Sequence, residues 1–356
     1  MTEATDTDGL PPIKVVGVGG GGCNAVNRMM QERIPGIQFV GVNTDAQALA
    51  RCEAHVRIRI GEKVSRGLGV GGDAGKGQRS AEESRDELLD AARGADMVFV
   101  TAGMGGGTGT GASPIIAEVA RESGALTVGV VTKPFSFEGS RRRRQAEEGV
   151  ARLREKVDTL ITIPNDRLLA VCDPEVSLED AFRVADDVLY QAILGISEIV
   201  TLPGEINLDF ADVRRVMKEA GPALLAIGRA SGETRAVDAA RAAIASPLLD
   251  ITIQGARGVL FNVTAARNLG LRELDAAARV INEVVDPDAE IIFGTAMDPN
   301  LGDEVKVTLI ATGFPTGEVS TVEVGDERIR QLHVQGLQNV ADTELPTFLR
   351  RPVAAR

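Results

Sequence analysis

The chain has 356 residues, 44% of them hydrophobic, which is core material for two domains. A formal net charge of −12, with no Trp and one Tyr, argues against a nucleic-acid surface, which needs clustered cations and aromatic platforms. Cys23, Cys52 and Cys172 lack Cys-x-x-Cys spacing, which argues against a disulfide framework or a zinc site, and two histidines, His55 and His333, leave His-based catalysis almost nothing to draw on.

The first twelve residues are acidic and polar rather than a charged-then-apolar leader, and no apolar run reaches membrane-spanning length. A cytoplasmic protein with no membrane insertion is expected. From Ile13 onward, short β-branched runs alternate with helical patterns. Strands are predicted at Ile13 to Val18, Ile37 to Val42, Asp96 to Thr101, Leu126 to Val131 and Thr159 to Ile163. Helices follow at Asn24 to Glu32, Ser80 to Arg93, Pro114 onward and Gln145 to Lys156, as the crossovers of a doubly wound parallel sheet require.

Between Ser177 and Thr201, apolar residues recur at three- and four-residue steps, predicting a long core helix between two domains. Beyond Gly221, strands are predicted at Ala223 to Arg229, Gly258 to Thr264, Glu290 to Ala296 and Val305 to Thr312. Helices are predicted at Arg235 to Ala245 and Leu271 to Val285. The expected organisation is a disordered start (1–12), an α/β domain (13–176), a central helix (177–201), a smaller α/β domain (202–314), a linker (315–343) and a terminal peptide (344–356). Within that peptide, Leu345 to Arg351 carries three large apolar residues and two arginines, a frayed end or a docking segment.

The densest chemical signal is Met97 to Gly111, an apolar strand that runs into seven residues of which five are glycine. Glycines let backbone N–H groups close on an anion, Thr108 and Thr110 add hydroxyls, and a helix start behind them favours negative charge. A flexible linker is the alternative, but a linker does not join a buried strand to an amphipathic helix. Gly17 to Gly22 also satisfies G-x-G-x-x-G, with Asp45 at about the distance of a ribose-binding acid, which alone suggests a dinucleotide-dependent oxidoreductase. Two glycine loops in one crevice fit a nucleoside triphosphate better. Gly71 to Gly77 imitates a P-loop but has Gly77 where Ser or Thr must stand, so it is read as a mobile lid. Asp209 and Asp212, three residues apart at a helix start, could polarise a water, although spacing alone favours capping. The Arg141 to Arg144 run is read as a solvated helix face.

Taken together, GVGGGGCNAVNRM, VNTDAQAL, DMVFVTAGMGGGTGTGASP, VTKPFSFEG, ITIPNDRLL, INLDFADVRRVM and GARGVLFNVTA resemble the FtsZ family of tubulin-related bacterial cell-division GTPases, from Ile13 to about Gly313. The resemblance implies a tubulin-like fold and a head-to-tail homopolymer that binds GTP and GDP, with Mg2+ held through the phosphates and no direct protein ligand. Gly20, Gly21, Gly22, Cys23 and Asn24 would form the first nucleotide loop, and Gly103, Gly105, Gly106, Gly107, Thr108 and Gly109 the second. Glu138 and Arg142 would reach the ribose side, Phe182 and Asp186 the guanine, and Thr132 and Asn165 would also belong to the nucleotide site.

On the same resemblance, Asn207, Asp209 and Asp212 act on the nucleotide of a neighbouring subunit, which reverses the capping preference. The tail Leu345 to Arg351 would bind membrane-tethering and regulatory partners of the division machinery at mid-cell. Two features depart from the family: a short linker and the four consecutive arginines, of which only Arg142 has a match. Cys23, at a helix start beside the phosphates, is expected to have a depressed thiol pKa and mild alkylation sensitivity.

Overall fold

The computed structural model describes residues 11–32, 36–169, 172, 176–201, 204–206, 208–246, 253–266 and 268–314. They divide between two compact units. The first draws on Met1–Asp166, Phe182–Thr201 and Met217–Pro222, and the second on Arg167–Ala181, Leu202–Val216 and Ala223–Arg356. The linker and the tail peptide lie outside the described residues, as does Asn207.

In the first unit the chain runs β1 (Ile13–Val18), α1 (Gly19–Gln31), β2 (Ile37–Asn43), α2 (Ala46–Ala50), β3 (Val56–Arg59), α3 (Glu62–Ser65), α4 (Ala74–Glu83), α5 (Arg85–Ala92) and β4 (Met97–Gly103). It continues through α6 (Thr108–Glu122), β5 (Leu126–Lys133), α7 (Ser140–Arg154) and β6 (Thr159–Pro164) to the start of α8 (Asn165–Leu169). The strands lie in the order β3-β2-β1-β4-β5-β6, all parallel. Such strands are covered on both faces and so read as continuous apolar runs; β4 is buried from Met97 to Ala102. Sequence order reverses direction between β1 and β4, and the crevice at their carboxyl ends is the switch point of a doubly wound sheet.

Helix α9 (Leu178–Thr201) buries Ala181, Ala185, Val188, Leu189, Ala192 and Ile196 of its apolar stripe, whereas Leu178 and Phe182 on the same stripe are exposed. The second unit holds α10 (Phe210–Met217), β7 (Gly221–Ala230), α11 (Arg235–Ile244), β8 (Gly258–Ala265), α12 (Leu271–Asn282), β9 (Glu290–Met297) and β10 (Val305–Thr312). Its strands are ordered β7-β10-β8-β9; β10 runs antiparallel to β7 and β8, and β8 parallel to β9. Helices α11 and α12 share one core with these strands through Ala239, Ala243, Ala277, Ile281, Phe261 and Leu309. Arg235 is buried without being orphaned: it forms an ion pair with Glu273 at 2.8 Å and donates to the Asp303 and Asn268 carbonyls at 3.0 Å.

Both helices that follow the glycine runs start earlier than predicted. Gly19–Gly22 and Thr108–Gly111 are not loops but the first turns of α1 and α6. The predicted helix Ser80 to Arg93 is two helices that break at Ser84, where φ and ψ of −107° and 21° leave the helical region. Strand β3 carries only two apolar residues and gave no prediction. Among the described residues, no helix is long and apolar enough to cross a membrane.

Candidate active site

Glycine composition seats α1 and α6 against the sheet. A Cβ on Gly22 would lie 2.4 Å from the Thr101 carbonyl oxygen of β4, and one on Gly109 would lie 2.8 Å from that of Gly103. Gly19 makes the turn into α1 at φ 71°, and a Cβ there would lie 2.9 Å from the Gly109 amide nitrogen. Neither N-cap, Val18 or Gly107, supplies a side-chain acceptor, so both helices present unanswered N–H groups at their first turns. Two uncapped helix starts facing one space make an anion site by charge and by hydrogen-bond geometry.

That space is a cavity of about 420 Å³ within the first unit. It is lined by Gly20, Gly21 and Asn24 of α1, by Gly103, Gly106, Gly107, Thr108 and Gly109, and by Thr132, Glu138, Arg142, Asn165, Phe182 and Asp186. Gly20 and Gly106 have no atom within 4 Å of where a Cβ would stand, so their backbones face open space. The Thr108 hydroxyl lies 2.7 Å from that of Thr44. Glu138 accepts from the Phe135 N–H at 2.9 Å and pairs with Arg142. Phe182 is 39% exposed and meets Phe135 edge-on at 5.6 Å, so it faces the cavity instead of packing within the long helix. Asn165 is 5% exposed, and its buried Oδ1 has no hydrogen-bond partner, an acceptor left for a bound molecule.

Asp186 is half-buried beside Asp187, and burial followed by the Asp187 charge pushes its pKa up to about 7. Burial also raises Asp187, against the pull of Arg28, whose Nε lies 2.7 Å away; Arg183 pulls the same way and Glu32 opposes it. Between an unfolded pKa near 3.8 and a folded value of about 7, the native state holds more protons than the unfolded chain. The stability this group contributes is therefore complete below about pH 4 and is lost as pH rises through 7. In thermal melts of nucleotide-free protein, Asp186→Asn is expected to gain on the parent from about pH 4 to pH 7 and to hold that gain above it. A gap independent of pH would refute this assignment.

Several expected residues stand behind the wall rather than in it. Gly22 and Gly105 do not line the cavity; Gly105 has φ 100°, and its N–H donates to the Thr110 hydroxyl at 2.8 Å. Thr110 is fully buried, so its hydroxyl secures the loop and does not face the cavity as predicted. Cys23 also points away from the cavity, toward the Gly17 and Val42 carbonyls, and its thiol is pushed far up by the neighbouring Cys52 side chain and by burial. The expected depressed pKa at this helix start is overturned. Asp45 spends its carboxylate on the Gln47 and Ala48 amides as N-cap of α2, leaving no ribose acid where the dinucleotide reading needs one.

The Gly71 to Gly77 segment is no mobile lid. Asp73 caps α4, Gln145 donates to the Gly72 and Gly106 carbonyls at 2.9 Å, and a Cβ on Gly77 would lie 2.3 Å from the Gly107 oxygen. Val18, Met104, Pro134 and Ala185 complete the wall without a signal in the sequence. Asp209 and Asp212 belong to the second unit and are not among the lining residues. Asp209 accepts from the Asp212 N–H at 3.0 Å, capping α10, while Asp212 lies 3.5 Å from Arg215.

The model of the tubulin/FtsZ family GTPase domain matches residues 12–173, and that of the FtsZ family C-terminal domain matches residues 221–315. An FtsZ from M. jannaschii, solved as an empty dimer, is 46% identical with a TM-score of 0.81, over 85% of this chain and 88% of that one. The chain belongs to the FtsZ family. A point mutant of the M. jannaschii FtsZ gives 45% identity and a TM-score of 0.82, over 86% of this chain and 92% of that one. CetZ2 from Haloferax volcanii, a GTPγS-bound protofilament, shares the fold at 20% identity and a TM-score of 0.70, over 91% of this chain and 99% of that one. The FtsZ-family chain described here is accordingly a tubulin-like GTPase that binds GTP and GDP and converts GTP and water to GDP and phosphate, which displaces the oxidoreductase alternative.

Proposed function

We propose that this chain is the self-assembling GTPase of a bacterial division ring. In this reading it stacks head to tail into protofilaments and hydrolyses GTP only where one subunit completes the nucleotide site of the next. The observation that carries the reading is the state of the acids in the cavity wall. Glu138 is committed to Phe135 and Arg142, and Asp186 adjoins Asn24 and Arg28, a turn along α1 from the glycines. Among the described residues, no lining carboxylate is left beside the uncapped helix starts to orient an attacking water. Phosphoryl transfer needs that water positioned, and a site that lacks the orienting group stays slow until a partner brings one. Asp209 and Asp212, on the second unit, are the groups assigned to do so, together with Asn207.

Within its own subunit, the phosphates lie on the first turns of α1 and α6, with the Gly20, Gly21, Gly106, Gly107 and Gly109 backbones and the Thr108 hydroxyl as donors. Glu138, Arg142, Thr132 and Asn165 take the ribose side, and the base rests on Phe182. An ionised Asp186 accepts from the N1–H and exocyclic amine of guanine, so GTP affinity falls as pH drops below about 7. Gly22, Gly105 and Cys23 support this wall from behind. Mg2+ would be held through the phosphates, where it would supply charge neutralisation.

A head-to-tail contact joins two different faces and does not close, so its repetition gives a filament. The dimer of the M. jannaschii FtsZ and the CetZ2 protofilament support self-association. Localisation is to the cytoplasm at mid-cell, with the 345–351 tail as the docking peptide for division partners. The test is GTP turnover per subunit as a function of protein concentration. A threshold is expected, below which turnover collapses, and a rate per subunit that is constant at every concentration would end the proposal.

A further inference from the structure

Two of the three cysteines meet behind α1. Cys23 and Asn27 stand one turn apart on that helix and leave it on the same face. Asn27 grips the segment after α2 on both sides of Cys52: its side chain donates to the Arg51 carbonyl at 3.1 Å and accepts from the Glu53 N–H at 2.7 Å. Cys52 is thereby held over Cys23. The sulfurs converge on one pair of strands. Cys23 Sγ lies 3.8 Å from the Gly17 oxygen and 3.9 Å from that of Val42, and Cys52 Sγ stands 2.6 Å from where a Cβ on Gly41 would be. Gly17 and Gly41 are register partners on β1 and β2, as are Val18 and Val42. Both cysteines are free thiols, each 3% exposed.

We propose that Cys23 and Cys52 are a modification site, forming a reversible intramolecular disulfide under peroxide oxidants, and that this bond shuts the GTP site. The two side chains are already neighbours, and an S–S bond of about 2.05 Å draws the Cys23 turn of α1 and the 51–53 segment together. Their proton is unevenly shared. The Cys52 thiol is pulled down to about 6, chiefly by Cys23 and further by the Ala54 amide and Arg57, with burial opposing, and thiolate is the form that peroxide oxidises.

In the first step the Cys52 thiolate attacks the O–O bond of hydrogen peroxide, gaining one oxygen as sulfenic acid and releasing hydroxide, which takes up the proton that Cys52 had lost. In the second, the Cys23 sulfur displaces the sulfenic hydroxyl, which leaves with the Cys23 proton as water. Two thiols are oxidised, one S–S bond forms and the peroxide is reduced to two waters. The bond draws α1 toward the 51–53 segment. Asn24, adjacent to Cys23, lines the cavity, and Gly22 on its other side is seated closely against the Thr101 carbonyl, so a pull on Cys23 distorts the first turn of α1. Transient, sensing disulfides are the kind that a reducing compartment permits.

The closing of the site rests on the GTP reading of the cavity, whereas the linkage itself does not, so each is read separately. Full-length protein is treated with hydrogen peroxide, then digested without reduction and analysed by mass spectrometry, and its GTP turnover is followed in parallel. The tryptic peptides Val15–Arg28 and Cys52–Arg57 are expected to appear joined, two hydrogens lighter than their sum. Turnover is expected to fall at least tenfold and to return with dithiothreitol. Oxidation at Cys172 alone, or no joined peptide, overturns the disulfide; a joined peptide with unchanged turnover overturns the closing of the site. Cys52→Ser is expected to turn over GTP at the parent rate and to ignore peroxide, and its inactivation to the parent's extent would also refute the proposal.

Discussion

Asp212→Ala is expected to bind GTP as tightly as the parent and to hydrolyse it about a hundredfold to ten-thousandfold more slowly, the range that loss of a positioned proton-handling group produces. Asp212 is the cleaner of the two aspartates to remove. Asp209 caps α10 through the Asp212 N–H, so its loss mixes a helix-cap cost of about 1 kcal/mol with any catalytic effect. Asp212 makes only an exposed ion pair with Arg215 at 3.5 Å, an interaction worth less than about 1 kcal/mol, so the fold survives its removal. The measurements are nucleotide affinity and turnover of the variant alone and mixed with parent. In mixtures, a variant subunit keeps its own pocket but fails its neighbour, so turnover per parent molecule falls as the variant fraction rises. Parent turnover indifferent to added variant would place the water-orienting group within the subunit that holds the GTP.

The second large effect separates two glycines that are adjacent but one in the same turn. Gly22→Ala is expected to destabilise the first unit by about 3 kcal/mol, the upper end of typical overpacking costs, because the new methyl meets the β4 backbone at 2.4 Å with no flexible side chain to yield. For a unit of this size that lowers the melting temperature by roughly 6–12 °C. Gly20→Ala adds the same methyl where nothing lies within 4 Å, so folding is kept while the group intrudes on the bound nucleotide. Melting temperature and GTP affinity measured on both variants should therefore move in opposite patterns. Equal destabilisation of the two would mean that the turn is not seated on Thr101 as described.

Most strands were legible because a parallel sheet buried on both faces writes itself as an unbroken β-branched run, as in β1 and β4. Strand β3 was not, because Val56-Arg-Ile-Arg59 alternates charge with apolar residues over only four positions. The glycine turns were legible as phosphate-binding but not as helix. Intrinsic propensity counts glycine against helix by about 1 kcal/mol per residue, and close packing against β4 overrides it. Their place in the cavity wall could be read from local composition alone. Glu138, Asn165 and the pair Phe182 and Asp186 come from three separate stretches and became visible only through resemblance. The hold of Asn27 on both sides of Cys52 depends on a contact across more than twenty residues that no periodicity announces.

The seating of α1 and α6 has a kinetic consequence. Since their leading turns are wound and lodged against β4 by the chain's own packing, the entropy of ordering them is spent during folding, and capture resembles filling a mould. Entry should then be limited by diffusion and dehydration, leaving exchange to be governed by whatever covers the mouth of the cavity, which in the filament proposed above would be the next molecule.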